Sequence, residues 1–126
     1  MEITARDLRI GNLLDYNGME VIIFSIDKRG FITFETNPIV IGKHKYEQSP
    51  SLYVSNFKPI PLTEEWLLKF GFTFSDMIYS FDGFEILDLK QGLEFYNHDY
   101  PIKIKYVHQL QNLYYILTQT ELTLTK

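Results

Sequence analysis

The side chains in this 126-residue chain that could do chemistry are three histidines, sixteen carboxylates and a scatter of serines, with no cysteine at all. Without cysteine there is no disulfide, thiolate nucleophile or thiolate metal ligand. His44, His98 and His108 fall in a loop, a loop and a helical stretch, and no two have short ligand spacing. A metal site needs several converging donors, so no metal ligand is assigned and no cofactor is expected. Asn97-His98-Asp99 is the densest polar cluster, and turn chemistry between two strands accounts for it.

Asp76, Asp82, Glu85, Asp88, Glu94 and Asp99 make the second half acidic, each at a turn or at an outward strand position. Paired carboxylates do acid/base work only where they approach each other in an environment that separates their pKa values, so solvated edges are the plainer reading. None of Ser25, Ser49, Ser51, Ser55, Ser75 and Ser80 sits in a glycine-flanked elbow, and the glycines form no phosphate-cradling loop. No catalytic residue is assigned, and an enzyme is not expected.

Two patterns point to binding instead. Arg6, Arg9, Lys28, Arg29, Lys43, Lys45 and Lys58 are interleaved with Tyr16, Phe31, Tyr46 and Tyr53. A small barrel can present such residues to a single strand, with bases stacked on rings and cations on phosphates. Lys43, Lys45 and Lys58 are the candidate nucleic-acid contacts, although seven acids share that half. The second pattern is His108, Gln111, Asn112 and Tyr115, at offsets of three and four on the final helix. This stripe lacks the Lys/Glu mixture of a plainly solvated face, and tyrosine carries interface energy well. It is the candidate partner surface, to be covered within the chain, by a second copy, or by another protein.

The elements that must position these residues begin with a meander. Strands are expected over Leu13–Tyr16, Met19–Asp27 and Phe31–Glu35, joined by turns at Asn17-Gly18 and Lys28-Arg29-Gly30. Asn-Gly is a strong two-residue hairpin signal. The second strand is apolar on nearly both faces, as in a central or curled strand. Gly11-Asn12 ahead of this hairpin looks like the opening of a small SH3-like barrel. Short strands at Ile39–Ile41 and Leu52–Val54 flank an exposed loop over 43–50.

Phe57 to Pro61 is extended, since each proline biases its predecessor away from helix. A short helix follows, with Thr63 as N-cap, Glu64 and Glu65 at its positive end, Leu62 stapled onto Leu67, and Gly71 as a left-handed stop. Trp66, Leu67 and Phe70 are its buried stripe. Strands are expected at Phe72–Phe74, Ile78–Phe81, Phe84–Leu89, Leu93–Tyr96 and Tyr100–Tyr106, with Asp82-Gly83 and Lys90-Gln91-Gly92 as turns. A final helix over 107–117 buries Val107, Leu110, Leu113, Tyr114 and Leu117.

Composition fits one folded unit: hydrophobic residues are 45% and charged residues 22%, unlike a disordered chain. Net charge is −4, with all the excess acid after residue 62. A strongly basic nucleic-acid protein is thereby excluded. The first residues carry neither a cationic leader nor an apolar signal core, and no apolar run approaches the ~18 residues of a membrane helix. The expectation is a soluble, cytoplasmic chain.

Segments 8–12 (LRIGN), 61–71 (PLTEEWLLKFG) and 104–115 (IKYVHQLQNLYY) resemble a family of short uncharacterised proteins encoded by gut bacteria and their prophages. That resemblance implies a mobile-element setting and no particular chemistry. It also implies a glycine after the last helix, where this chain has Gln119. The combined expectation is an α+β protein: an SH3-like curled antiparallel sheet over 1–60, then a short central helix, a second small antiparallel sheet and a C-terminal helix over 61–126, together one compact unit. Its expected function is non-enzymatic protein interaction, with an unidentified protein partner or a second copy, and no membrane. Weak nucleic-acid binding through the first sheet is the alternative.

Overall fold

A computed structural model describes residues 3–36, 51–89, 92–95 and 102–125. Among the described residues it is α+β, with two antiparallel sheets and two α-helices, as the residue patterns predict. The chain divides into two compact units, residues 1–60 and 61–126. The expected strand at Ile39–Ile41 and the loop over 43–50 lie outside the described residues, as do His44, Lys43, Lys45 and the Asn97-His98-Asp99 cluster.

In the first unit β1 (Leu13–Tyr16), β2 (Met19–Ile26), β3 (Phe31–Thr36) and β4 (Leu52–Tyr53) pair in sequence order into a curled sheet. The β1–β2 hairpin runs in register from Leu13 opposite Ile22 to Tyr16 opposite Met19. Its turn has positive φ at both Asn17 (51°) and Gly18 (85°), the mirror-image turn whose twist suits a hairpin. The two-sided apolar character of β2 has a specific cause. Between Ile23 and Ser25 the register with β3 slips by one residue, a β-bulge. Val21 and Ile23 face the core before the bulge and Ile26 packs against it afterwards, while Phe24 is left exposed. A bulge bends its strand and increases local twist, which helps the sheet curl over its core.

That core comprises Ile3, Leu14, Val21, Ile23, Ile32, Phe34, Val54 and Phe57. Tyr16, Phe34 and Phe57 form a ring triad with centroids 5.2–5.6 Å apart. Each large apolar side chain so buried contributes ~1.5–3 kcal/mol. Past β4 the backbone forms a 3-10 turn, Val54–Asn56, rather than a third strand residue.

The second unit opens with Leu62, whose N–H donates to the Lys105 carbonyl (2.9 Å). Helix α1 (Glu64–Lys69) follows, and Thr63 Oγ1 accepts from Trp66 N–H at 3.4 Å. Trp66, Leu67 and Phe70 are buried as predicted, and Gly71 has φ +96°, the left-handed stop. The sheet runs in the order β5 (Thr73–Ser75), β6 (Ile78–Phe81), β7 (Phe84–Leu89), β8 (Gly92–Phe95), β9 (Ile102–Ile104). β5 is displaced by one residue from expectation, β8 begins one residue earlier than expected, and β9 ends at Ile104 rather than at Tyr106. Helix α2 (Val107–Thr118) is seated by Gln109, whose Oε1 accepts from the N–H groups of Lys105 and Tyr106. Past α2, Leu122 is buried and Thr125 donates through N–H and Oγ1 to the Lys69 carbonyl (2.7 and 2.9 Å), capping the end of α1.

Candidate functional site

The polar stripe expected on the outside of α2 is not a single surface. His108 and Gln111 are 1% and 2% exposed, while Asn112 and Tyr115 are half-buried. The buried face is Val107, His108, Leu110, Gln111 and Tyr114; Leu113 is half-buried, and Leu117, expected inside, is 53% exposed beside Ile116 at 66%. The helix is therefore rotated on its bed from the Leu113/Leu117 side toward the His108/Gln111 side. Tyr114 takes the central place, with its ring 5.3 Å from Phe84 and 6.0 Å from Phe81. His108 stacks on Tyr106 at 5.9 Å and 13°. Two of the four stripe residues are thus buried within the chain and present nothing to a partner.

The basic residues behave differently. Arg6, Lys28, Arg29 and Lys58, from three separate stretches of the chain, line one groove of about 690 Å³ in the first unit together with Tyr53 and Ser55. Its volume is within the ~300–1,000 Å³ range of ligand clefts. Three local devices set its walls. In the Ala5–Asp7 turn, Asp7 Oδ2 accepts from Thr4 N–H (3.0 Å) and Oγ1 (3.2 Å), leaving Arg6 exposed. In the β2–β3 turn, Asp27 Oδ1 accepts from the N–H groups of Arg29 (2.8 Å) and Phe31 (3.0 Å), which fixes Lys28 and Arg29. Lys58 is tied to β1 by reciprocal backbone bonds with Asp15 (2.8 and 2.9 Å).

The electrostatics are one-sided. No carboxylate belongs to the described lining. Arg29 is already engaged, with Nη2 2.9 Å from Asp27 Oδ2 and its guanidinium 5.0 Å above the Phe31 ring. The Phe31 N–H, then the Arg29 side chain, hold the Asp27 carboxyl below its ordinary value of 3.8. Arg6, Lys28 and Lys58 form no ion pair with a carboxylate among the described residues. Three cations therefore face one concavity in a chain of net charge −4.

Tyr53 completes the groove. Its ring is 46% exposed, packs edge-on against Phe31 (5.4 Å, 72°) and rests on Gly30, whose carbonyl accepts from Val54 N–H at 2.9 Å. Of the three proposed nucleic-acid contacts, Lys58 lines this groove, whereas Lys43 and Lys45 are among the residues not described. The sequence named Arg6, Lys28, Arg29 and Tyr53 as basic and aromatic residues but offered no means of grouping them, and Arg9 and Tyr16 belong elsewhere. Among the described residues, no cluster of three or more His, Asp or Glu could hold a metal, and no helix is long and apolar enough to cross a membrane. Comparison of the chain with protein-family models, with curated proteins and with solved structures gives no match.

Proposed function

We propose that the chain is a non-enzymatic, cytoplasmic interaction module of mobile-element type, and that the groove of its first unit holds an anionic stretch of a partner macromolecule. One observation carries this reading: Arg6, Lys28 and Lys58 converge on a groove whose described lining contains no carboxylate. Like charges brought together on an acidic protein repel each other and offset no local acid, so the arrangement favours an anion that neutralises them. The resemblance to prophage-encoded proteins supports the setting, not the site.

The test is retention on a polyanion. On immobilised heparin at ~50 mM salt, where electrostatic binding is strong, the wild-type chain is retained despite its net negative charge. The double variant Lys28→Glu/Lys58→Glu elutes in the flow-through. Equal retention of both, or of neither, overturns the assignment of the groove.

A further inference from the structure

The cations account for attraction to an anion but not for the exposed ring among them. Tyr53 is 46% exposed, yet it is not loosely placed: it is seated against Gly30 and meets the Phe31 ring in a T-shaped contact. A side chain at Gly30 would intrude on the ring, since a Cβ there lies 3.1 Å from Tyr53 Cε1 and 3.6 Å from Cζ. The turn that carries Lys28 and Arg29 thus also forms the seat of the ring. An acidic peptide would use the charges and leave the ring idle. A planar, oriented aromatic surface bracketed by cations matches a ligand that alternates phosphates with flat bases.

We infer that the partner of this groove is a single-stranded nucleic acid, with a base stacked on Tyr53 and the flanking phosphates held by Arg6, Lys28 and Lys58. The inference rests on the groove being an anion site. Single strands are specified because bases in a duplex are already stacked on one another and have no free face for Tyr53. Ser55, also in the lining, adds a hydroxyl of the kind that hydrogen-bonds sugar or phosphate oxygens. Nothing in the described lining distinguishes ribose from deoxyribose, so both sugars belong to the ligand class.

The experiment measures affinity of the full chain for four labelled probes at ~50 mM salt: oligo(dT) and oligo(U) of ~12 nucleotides, an abasic deoxyribose-phosphate chain of the same length, and polyglutamate. The expected result is that oligo(dT) or oligo(U) binds ~10-fold or more tighter than the abasic chain. Stacking on one ring is worth about a 5- to 150-fold change per base, so Tyr53→Ala should lower oligonucleotide affinity in that range and leave abasic binding unchanged. Tyr53→Phe keeps the ring and should keep the affinity, which separates lost stacking from a misfolded groove. With three phosphate contacts, affinity should fall ~20-fold between ~50 and ~200 mM salt.

Equal binding of abasic and base-bearing probes, or indifference to Tyr53→Ala, overturns the nucleic-acid inference while the anion site survives. Polyglutamate as the tightest probe would make the partner an acidic protein segment. Absence of binding by all four probes overturns both readings.

Discussion

Gly30, in the β2–β3 turn, packs against Tyr53 of β4: at φ +91°, a Cβ on Gly30 would stand 3.1 Å from Tyr53 Cε1. Two penalties coincide there, left-handed backbone and loss of the ring's seat. Gly30→Ala should therefore destabilise the first unit by ~1 kcal/mol or more, read as a lower midpoint in chemical denaturation. A variant as stable as wild type would show that neither penalty operates.

Trp66 is the chain's one tryptophan and is 6% exposed, with its ring 5.9 Å from Phe70 and the Lys69 ammonium 4.7 Å from its centroid. Truncation leaves a large cavity, so Trp66→Ala should cost ~3–5 kcal/mol. Circular dichroism during denaturation measures it. An unchanged midpoint would contradict the buried stripe of α1.

The two helix stops should respond oppositely. At Gly71 (φ +96°) an added Cβ lies 3.2 Å from Phe81 Cε1, so Gly71→Val combines backbone strain with a clash and should cost ~2 kcal/mol or more. Gln119 adopts the same left-handed region (φ 61°, ψ 23°), its N–H donating to the Tyr115 carbonyl at 2.8 Å. Gln119→Gly should stabilise by up to ~1 kcal/mol, tempered by loss of the 3.3 Å bond from Nε2 to the Ile116 carbonyl. Thermal midpoints moving in the same direction would refute one of the two caps.

His108 and Gln111 are inside, so their replacement should register as stability. His108→Ala and Gln111→Ala should each cost ~1–3 kcal/mol, because truncating side chains 1% and 2% exposed removes their packing and leaves a cavity. Ile116→Thr, at a position 66% exposed on the same helix, should stay within ~0.5 kcal/mol. If the first two variants were as stable as wild type, the rotation of α2 described above would be wrong.

Asp27 links the groove to pH. Its carboxyl is held below 3.8 by the Phe31 N–H and by Arg29, so the folded state releases this proton more readily than the unfolded chain. Its contribution is fully present above pH ~4 and disappears as pH falls through the lowered folded-state value. The stability difference between wild type and Asp27→Asn should therefore be constant near neutrality and shrink on acidification below pH ~4. A gap that widens in acid would reverse the assigned direction.

The sequence by itself determined what neighbouring residues decide between them. Asn17-Gly18 and Asp82-Gly83 turn because both positions of each pair tolerate positive φ, which all four adopt. Thr63 and Gly71 bound α1 through bonds made within a few residues. With those points set, alternation placed the strands to within a residue or two and made the α+β class legible. The Asp76-Met77 turn escaped notice as a hairpin signal because Met77, with φ 66°, is not a residue that favours this conformation; pairing of β5 with β6 imposes it. Only the tertiary structure decided the bulge at Ile23/Ser25 and the face on which α2 lies. Periodicity offers two apolar arcs on that helix, and packing of Tyr114 among Phe81 and Phe84 selects the one that carries His108 and Gln111 inward. The groove is the furthest from local reading. Arg6, Lys28, Tyr53 and Lys58 approach one another because a curled sheet returns its turns and edges to a common rim, and no property of those residues individually specifies which cations will meet.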